Sequence, residues 1–566
     1  MKIKLGEIKN SDSSEGFVKT LAVLLFLFII LYFYKLGSVG LIDVDEPRYA
    51  EAGREMLETG NWTVPYFNYT IRFDKPIFFY WLEAISMKFF GVNEFAARFP
   101  SLLAAFLCLS FLFVFLKTFF DISFALIGTL LLMSCFEFAA LARFSVTDMA
   151  LSSFISSAIF SFFLGYHEII NSHRFFKFQI SLFSYWYIVG FVLLAFAVLT
   201  KGPVAVILLG LVFIPFFWWI GKLDYFLRSK SFWIGFLLFL VLVVPWYIMV
   251  HFATHGDFTK VFFGVHNFSR FTSVVSGHKG SVFYFIPVVL IGFLPWTFFL
   301  PQAIFALIKK GLRSLQSSTT EQVPWFCLWW FFITILFFSF SKTKLLTYIL
   351  PLFPALSVLI SYWFNEMFKK QISNRGLIIG LGVFFTFSLI ILFICLFNLN
   401  LILPREIKSL KLDLPILFFA FMMFVGISMA WASSRQNIKM TMTIIFATFL
   451  LLYFCLVSSF LPKIDKHSQY MLRKFAKSTP GEVMVATYQI IKPSLTFYGK
   501  RKIKKYDSIE DIQEKLNAKE KFAFVTKKSL LSNLELTNSY VWGEDNRYIF
   551  ITNYPLKAKN EVSKRN

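Results

Sequence analysis

The chain has 566 residues, of which 57% are hydrophobic and only 16% charged, with a net charge of +23 at pH 7. Apolar runs of roughly 18 to 22 residues recur along most of its length, each long enough to cross a bilayer core, so a water-soluble globular enzyme is excluded and a polytopic membrane protein is indicated. The positive charge fits cytoplasmic loops and anionic lipid, and no nucleic-acid partner is expected.

The first apolar run, "FVKTLAVLLFLFIILYFYKLG", is too long for a signal-peptide core and has no small-residue cleavage site after it. It reads as a retained membrane helix whose Lys-rich start stays in the cytoplasm. About thirteen crossings are predicted, beginning near residues 17, 99, 122, 148, 183, 203, 231, 283, 324, 344, 376, 413 and 439. This set makes Lys or Arg present in every cytoplasmic connection, as the positive-inside rule requires. All five cysteines lie inside apolar runs, which supports neither a disulfide framework nor a zinc-binding cysteine cluster.

Directly after the first helix comes "LIDVDEPRYAEAGREM", dense in charge and on the predicted outer side. The outer loop of residues 37–98 contains two predicted amphipathic helices, "DEPRYAEAGREMLETG" with Pro47 in its first turn, and "KPIFFYWLEAISMKFFG", both placed on the membrane plane. Glu51 and Glu55 are expected on the helix surface as partners of Arg54. A second outer loop, 251–282, rich in His, Gly and Ser, reads as a gate. From about residue 462 short strand candidates ("VMVATY", "KFAFVT", "YIFIT") and a helix candidate ("SIEDIQEKLN") indicate a small soluble α/β domain. Its basic surplus, including "GKRKIKK", suits an anionic leaflet. The expected organisation is therefore an all-α membrane domain over 1–461 and an outer α/β domain over 462–566.

Basic residues on the predicted outer side have no orienting duty, yet they recur at helix ends: Arg48, Arg72, Lys75, Arg143, Lys201, Arg270, Lys342 and Lys344. Converging Lys and Arg at a membrane interface suit a bound phosphate, while cations that snorkel to head groups are the plainer alternative. Arg48, Lys75 and a cation such as a metal would neutralise the charge that develops on a departing phosphate. An acceptor hydroxyl would also need a base, for which Asp45 and then Asp148 are candidates, with Glu46 a further possible functional carboxylate. Asp45 serves equally as a helix N-terminal residue, and Asp148 as a cap or an ion-pair partner of Arg143.

The segments "DVDEPRYAEAGREMLETGNWTVPYFN", "FDKPIFFYWL", "ARFPS", "RFSVTD", "LTKGPVA" and "SKTKLLTYILPLFPALS", in this order, resemble the bacterial aminoarabinose transferases and related members of the dolichyl-phosphate-mannose protein mannosyltransferase family, within the glycosyltransferase C superfamily. The resemblance covers residues 15 to 365. It implies a multi-pass inner-membrane glycosyltransferase, monomeric, with its site and C-terminal domain in the periplasm. The donor would be a sugar, 4-amino-4-deoxy-L-arabinose or a relative, on undecaprenyl phosphate, and the acceptor a lipid A phosphate. A protein hydroxyl or another envelope glycan is the alternative acceptor, and a lipid-linked sugar flippase the alternative of a different class. Carried over by position, Arg48 and Lys75 hold the carrier phosphate, with Lys201 and Tyr348 as further contacts, and Asp45 and Asp148 stand at the cavity mouth. The resemblance further implies a divalent metal, zinc, held by His266 and by the acidic residue before the "KP" lysine, which is often Glu in the family and is Asp74 here.

Overall fold

The computed structural model describes residues 10–175, 183–269, 272–273, 280–369, 375–397, 413–434, 437–531 and 536–555. Among these, nine helices are long and apolar enough to cross a membrane, and a tenth span consists of Val282–Gly292 and Trp296–Lys310, bent by 106° at the break. Three shorter apolar helices, Ile122–Met133, Tyr185–Lys201 and Val204–Trp219, complete thirteen apolar segments, each beginning near one of the predicted starts. The chain is a multi-span membrane protein, all-α in this region. The five cysteines are unpaired.

The chain divides into two compact units. The first comprises Met1–Leu36, Phe73–Phe79 and Arg98–Leu456. Its interior is apolar and strongly aromatic, as the abundance of Phe requires: Phe115, Phe119, Phe160, Phe163 and Phe326 interlock through tilted and edge-to-face ring contacts. The helix Thr147–Phe175 is wholly buried over its apolar window, and Ser152, Ser153, Ser156, Ser157 and Ser161 along it let neighbouring helices approach closely.

The second unit comprises Gly37–Arg72, Tyr80–Ala97 and Val457–Asn566, so the first-loop segments cluster with the C-terminal residues. A short antiparallel pair, β1 (Tyr66–Phe67) and β2 (Thr70–Ile71), precedes a five-stranded mixed sheet with the order β4 (Lys504–Tyr506), β3 (Met484–Tyr488), β5 (Phe522–Lys527), β7 (Tyr548–Thr552), β6 (Tyr540–Glu544). The pairs β3–β4 and β3–β5 are parallel, and β5–β7 and β6–β7 antiparallel. Strands β3, β5 and β7 and the helix Ile509–Asn517 stand where the sequence predicts them. The lysine-rich β4 and the half-exposed β6 lack the apolar signature that would have disclosed them.

The helix Asp45–Thr59 forms as expected, closing on Gly60 in the left-handed conformation (φ 69°), whose N–H bonds Met56 O. Its environment differs from the expectation. Pro47, Ala50, Ala52 and Met56 are buried, and so are Glu46, Glu51, Arg54 and Glu55. The helix packs against Pro493–Gly499, a contact between residues more than 400 positions apart. Glu51 and Arg54 are indeed partners, but inside the unit rather than on a solvated helix face.

Candidate functional site

In the first unit five side chains predicted from sequence line one cavity, with a volume of about 90 Å3. They are Lys75, Asp148, Lys201, His266 and Tyr348, joined by Thr347, Asn267 and Ser341. Local sequence explains how each is presented. Pro76 disfavours helical geometry at the preceding residue, so Lys75 is delivered before the helix Phe78–Phe90 begins. Asp148 occupies the first turn of its helix, where the macrodipole favours a carboxylate. Lys201 is the last residue of Tyr185–Lys201; Gly202 then turns with φ 95°, and an added Cβ there would lie 2.6 Å from the Phe262 ring. The "LTKGP" motif is thus a helix break that presents Lys201 and leaves room for Phe262, also a cavity-lining residue. After the helix Thr319–Phe340, the short 3-10 turn Leu346–Leu352 carries Thr347 and Tyr348 to the cavity.

The polar groups form a connected set. Lys201 Nζ donates to Asp148 Oδ1 at 2.6 Å, and Thr347 Oγ1 donates to the same oxygen at 2.7 Å. The Lys201 ammonium lies 5.1 Å from the Tyr348 ring centroid. Lys75 is buried and within electrostatic reach of Asp148, and its Nζ donates to Asp74 O at 3.2 Å. Two ammonium groups around one carboxylate leave local positive charge on a cavity otherwise walled by Leu151, Val204, Phe262, Phe337 and Phe338. In so apolar a setting an anion with several acceptor oxygens is bound strongly.

Asp74 Oδ1 and His266 Nε2 are 3.4 Å apart. Two ligands bonded to one tetrahedral zinc at about 2.0–2.1 Å stand about 3.3–3.4 Å from each other, so the pair fits two adjacent coordination positions. No cluster of three or more His, Cys, Asp or Glu suited to a metal occurs among the described residues, so the pair is a two-residue candidate site. The shorter Asp74 side chain reaches the imidazole.

The other predicted residues, Asp45, Glu46 and Arg48, belong to the second unit. Asp45 is exposed in the first turn of Asp45–Thr59, and Arg48 is half-buried. Glu46 is buried and its Oε2 accepts from Ile42 N–H at 2.9 Å, closing the turn that enters the helix. Arg54 forks onto Glu51 with Nε–Oε2 2.7 Å and Nη2–Oε1 2.8 Å, and bonds Glu58 as well. Burial pushes the Glu51 carboxyl up to about 8 against the pull of Arg54, and burial also raises Glu55.

Three of the cations predicted on the outer side turn out to hold the fold. Arg143 gives Nη1 to Leu31 O and Tyr32 O at 3.2 and 2.8 Å and Nη2 to Tyr34 O at 2.7 Å, satisfying carbonyls at the end of the first membrane helix. Asp148 therefore pairs with Lys201 and not with Arg143. Lys344 Nζ donates to the carbonyls of Phe338, Ser339 and Ser341. Arg72 donates to Arg48 O and packs on Tyr49 and Tyr80. Lys342 is exposed, and Arg270 lies outside the described residues. Within the predicted gate, Asp257–Val261 is helical and is followed by a π-helical stretch, Phe262–Ser269, that carries His266 and Asn267. Sequence reasoning missed Thr347, whose neighbour Tyr348 it named; a hydroxyl beside that tyrosine in "SKTKLLTYILP" was the available signal.

A model of the dolichyl-phosphate-mannose-protein mannosyltransferase family matches residues 17–259. Among similar proteins is an undecaprenyl phosphate-α-4-amino-4-deoxy-L-arabinose arabinosyl transferase of Shewanella sediminis, 32% identical over 62% of this chain. The match spans 61% of that relative, less than two thirds of its length. The corresponding transferase 1 of Proteus mirabilis is 32% identical over 74% of this chain and 73% of its own. The crystal structure of ArnT from Cupriavidus metallidurans bound to undecaprenyl phosphate shares the fold with a TM-score of 0.79, covering 94% of this chain and 98% of that one at 22% identity. With the Proteus relative matched over nearly three quarters of its length, the chain belongs to the family of undecaprenyl phosphate-α-4-amino-4-deoxy-L-arabinose arabinosyl transferases.

Proposed function

We propose that the protein is a membrane glycosyltransferase that moves 4-amino-4-deoxy-L-arabinose from undecaprenyl phosphate to a lipid A phosphate at the periplasmic face of the inner membrane. The observation that carries this reading is the convergence of Lys75 and Lys201 on one cavity with Asp148 and Tyr348. The names of the family relatives support the sugar and its carrier. The positive-inside distribution of the connections supports a periplasmic site.

In the reaction an acceptor oxygen attacks the anomeric carbon, the bond from that carbon to the carrier phosphate oxygen breaks, and undecaprenyl phosphate leaves with the electron pair. Lys75 and Lys201 neutralise the charge growing on that phosphate, and the apolar walls around them strengthen the effect. Asp148 is a positioning residue: with Thr347 it fixes the Lys201 ammonium at the rim of the cavity. Tyr348 lies beneath that ammonium and contributes its ring face. Arg48 is the further phosphate ligand proposed from the family motif. An acceptor phosphate is already anionic and needs little help; for a hydroxyl acceptor, Asp45 is the available base, because Asp148 is already committed to two donors.

Asp74 and His266 are proposed to hold a divalent cation, which when bound adds positive charge beside the leaving phosphate. His266 must then be neutral at Nε2, and Asp74 ionised.

The test is to supply radiolabelled undecaprenyl phosphate-linked aminoarabinose with lipid A to the purified protein in proteoliposomes. Free undecaprenyl phosphate and sugar-modified lipid A should appear in equal amounts. Donor that merely changes leaflet with its sugar-phosphate bond intact would indicate a flippase. Donor hydrolysis or transfer to protein, with lipid A unmodified, would sink the acceptor assignment.

A further inference from the structure

Asn267 lines the cavity beside His266, and nothing in the chemistry above uses it. It lies in the π-helical stretch Phe262–Ser269, where its Nδ2 donates to Phe262 O at 2.7 Å. A carbonyl oxygen can only accept, so the amide nitrogen must face Phe262 O, and this fixes which way the side-chain amide points. Its Oδ1 is turned to the Lys201–Gly202 corner, where a Cβ added to Gly202 would stand 3.4 Å from it. The oxygen therefore sits beside the helix break that presents Lys201 to the cavity.

Several other polar groups of the cavity bond within the protein. Asp148 Oδ1 accepts from both Lys201 and Thr347, and Ser341 Oγ donates to Thr343 O at 3.0 Å. No donor among the described residues reaches Asn267 Oδ1. A half-buried amide oxygen beside the Phe262 ring and other apolar walls is stabilised by a donor that a ligand brings, and a few such groups set the orientation of what binds.

The parts of the sugar-loaded carrier differ in what they can give. Its polyprenyl tail has no polar hydrogen and its phosphodiester has no proton to donate, whereas the sugar offers two hydroxyls and an ammonium. Lys75 and Lys201 make the cavity positive, which disfavours an ammonium there and leaves a hydroxyl as the matching donor. We propose that Asn267 Oδ1 accepts a hydrogen bond from a hydroxyl of the donor sugar, and so distinguishes the loaded carrier from the bare carrier that leaves. This rests on the functional reading above, in which a sugar on undecaprenyl phosphate occupies the cavity.

Titration of the full-length protein without acceptor compares four ligands: undecaprenyl phosphate, undecaprenyl phosphate-linked 4-amino-4-deoxy-L-arabinose, and the 2-deoxy and 3-deoxy counterparts of that donor. Wild-type protein should bind the parent donor roughly 3- to 10-fold more tightly than at least one deoxy donor, the scale of one neutral hydrogen bond. Asn267→Leu and Asn267→Ala both remove the oxygen, one keeping the bulk and the other leaving room, so a folding defect in one leaves the other to read. Each should weaken the parent donor by the same factor, bind that deoxy donor as wild type does, and leave undecaprenyl phosphate within about 2-fold. Equal weakening of all four ligands would make Asn267 a support of the π-helical stretch and overturn the inference alone. Discrimination that is missing in wild type, or kept by both variants, would overturn it as well. If wild-type protein releases no undecaprenyl phosphate from the parent donor once lipid A is added, the functional reading falls, and this inference with it.

Discussion

Lys201 Nζ stands 2.6 Å from Asp148 Oδ1, so the cation that faces the cavity is held by a carboxylate that also lines it. Both side chains are largely shielded, at 10% and 14% exposure, which lifts the pair above the weak surface class. Removing either partner has opposite consequences for a phosphate ligand. Lys201→Met should lower turnover by about 10²–10³ and weaken undecaprenyl phosphate binding, because a donor to the developing charge is gone. Asp148→Asn should lower turnover through the loosened ammonium while binding undecaprenyl phosphate as tightly as wild type or more so. Titration of both variants with undecaprenyl phosphate checks this; equal weakening in the two would show that Asp148 does not merely orient Lys201.

Arg143 is predicted to matter for stability and not for chemistry. Its guanidinium makes three bonds to the carbonyls of Leu31, Tyr32 and Tyr34, and the Tyr453 hydroxyl bonds Leu31 O as well. Arg143→Met takes this donor from the Tyr32 and Tyr34 carbonyls, at about 1–3 kcal/mol each before relaxation, while Leu31 O keeps its bond from Tyr453. A clear fall in the melting temperature in detergent is expected, with kcat of the folded fraction unchanged. An undiminished melting temperature, or selective loss of kcat, would return Arg143 to the phosphate site.

The thirteen apolar segments were legible because a bilayer imposes a length and an apolar composition on each crossing, whatever the tertiary contacts. Lys75, Lys201 and Tyr348 were named through the side of the membrane and the family motifs, and they share a cavity. Arg72, Arg143 and Lys344 were grouped with them because a count of cations at helix ends does not register the carbonyls that broken helices leave open. The burial of Glu51, Arg54 and Glu55 depends on residues 493–499, too distant in sequence for helical periodicity to report.

Asp43 fastens the entry of the Asp45–Thr59 helix within the second unit. Its Oδ1 accepts from Ser494 N–H at 3.0 Å, its Oδ2 from Ser494 Oγ at 2.7 Å, and Lys492 Nζ lies 3.7 Å away. The carboxylate thus serves as a cap supplied in trans to the helix Pro493–Gly499. Asp43→Ala should cost about 1–2 kcal/mol, the range for a lost cap. Hydrogen exchange should speed up at residues 41–45 and 493–499 together; acceleration confined to one segment would dissociate them.

The 3.4 Å spacing of Asp74 and His266 yields a prediction for metal content. Protein purified without chelator should carry a divalent cation, measured by inductively coupled plasma mass spectrometry, and lose turnover on chelation. Asp74→Asn and His266→Ala should each abolish bound metal and make the residual turnover insensitive to chelator. Asp74→Glu should keep it, since the longer side chain still reaches the imidazole. Full metal content in both ligand-removal variants would place the ion elsewhere.

The buried pair Glu51 and Glu55 gives the stability of the second unit a direction with pH. Both carboxyls are raised by burial, Glu51 to about 8 from an ordinary 4.5. In the unfolded chain both ionise near 4.5, so between that pH and about 8 the unfolded state releases the Glu51 proton that the folded state retains, and the raised Glu55 carboxyl acts in the same direction. Stability associated with the pair is therefore full below about 4.5 and falls as pH rises through 8. Exposed Glu58, lowered by Arg54, acts in the opposite sense only at acid pH. Thermal unfolding in detergent between pH 5 and 8.5 should show the second unit melting at progressively lower temperature. Glu55→Gln removes one titrating carboxyl and leaves the Arg54 fork on Glu51 in place, so it should flatten that slope and raise the melting temperature at pH 8. A slope unchanged in Glu55→Gln, and equally unchanged in Glu51→Gln, would mean that neither carboxyl holds its proton in the folded state.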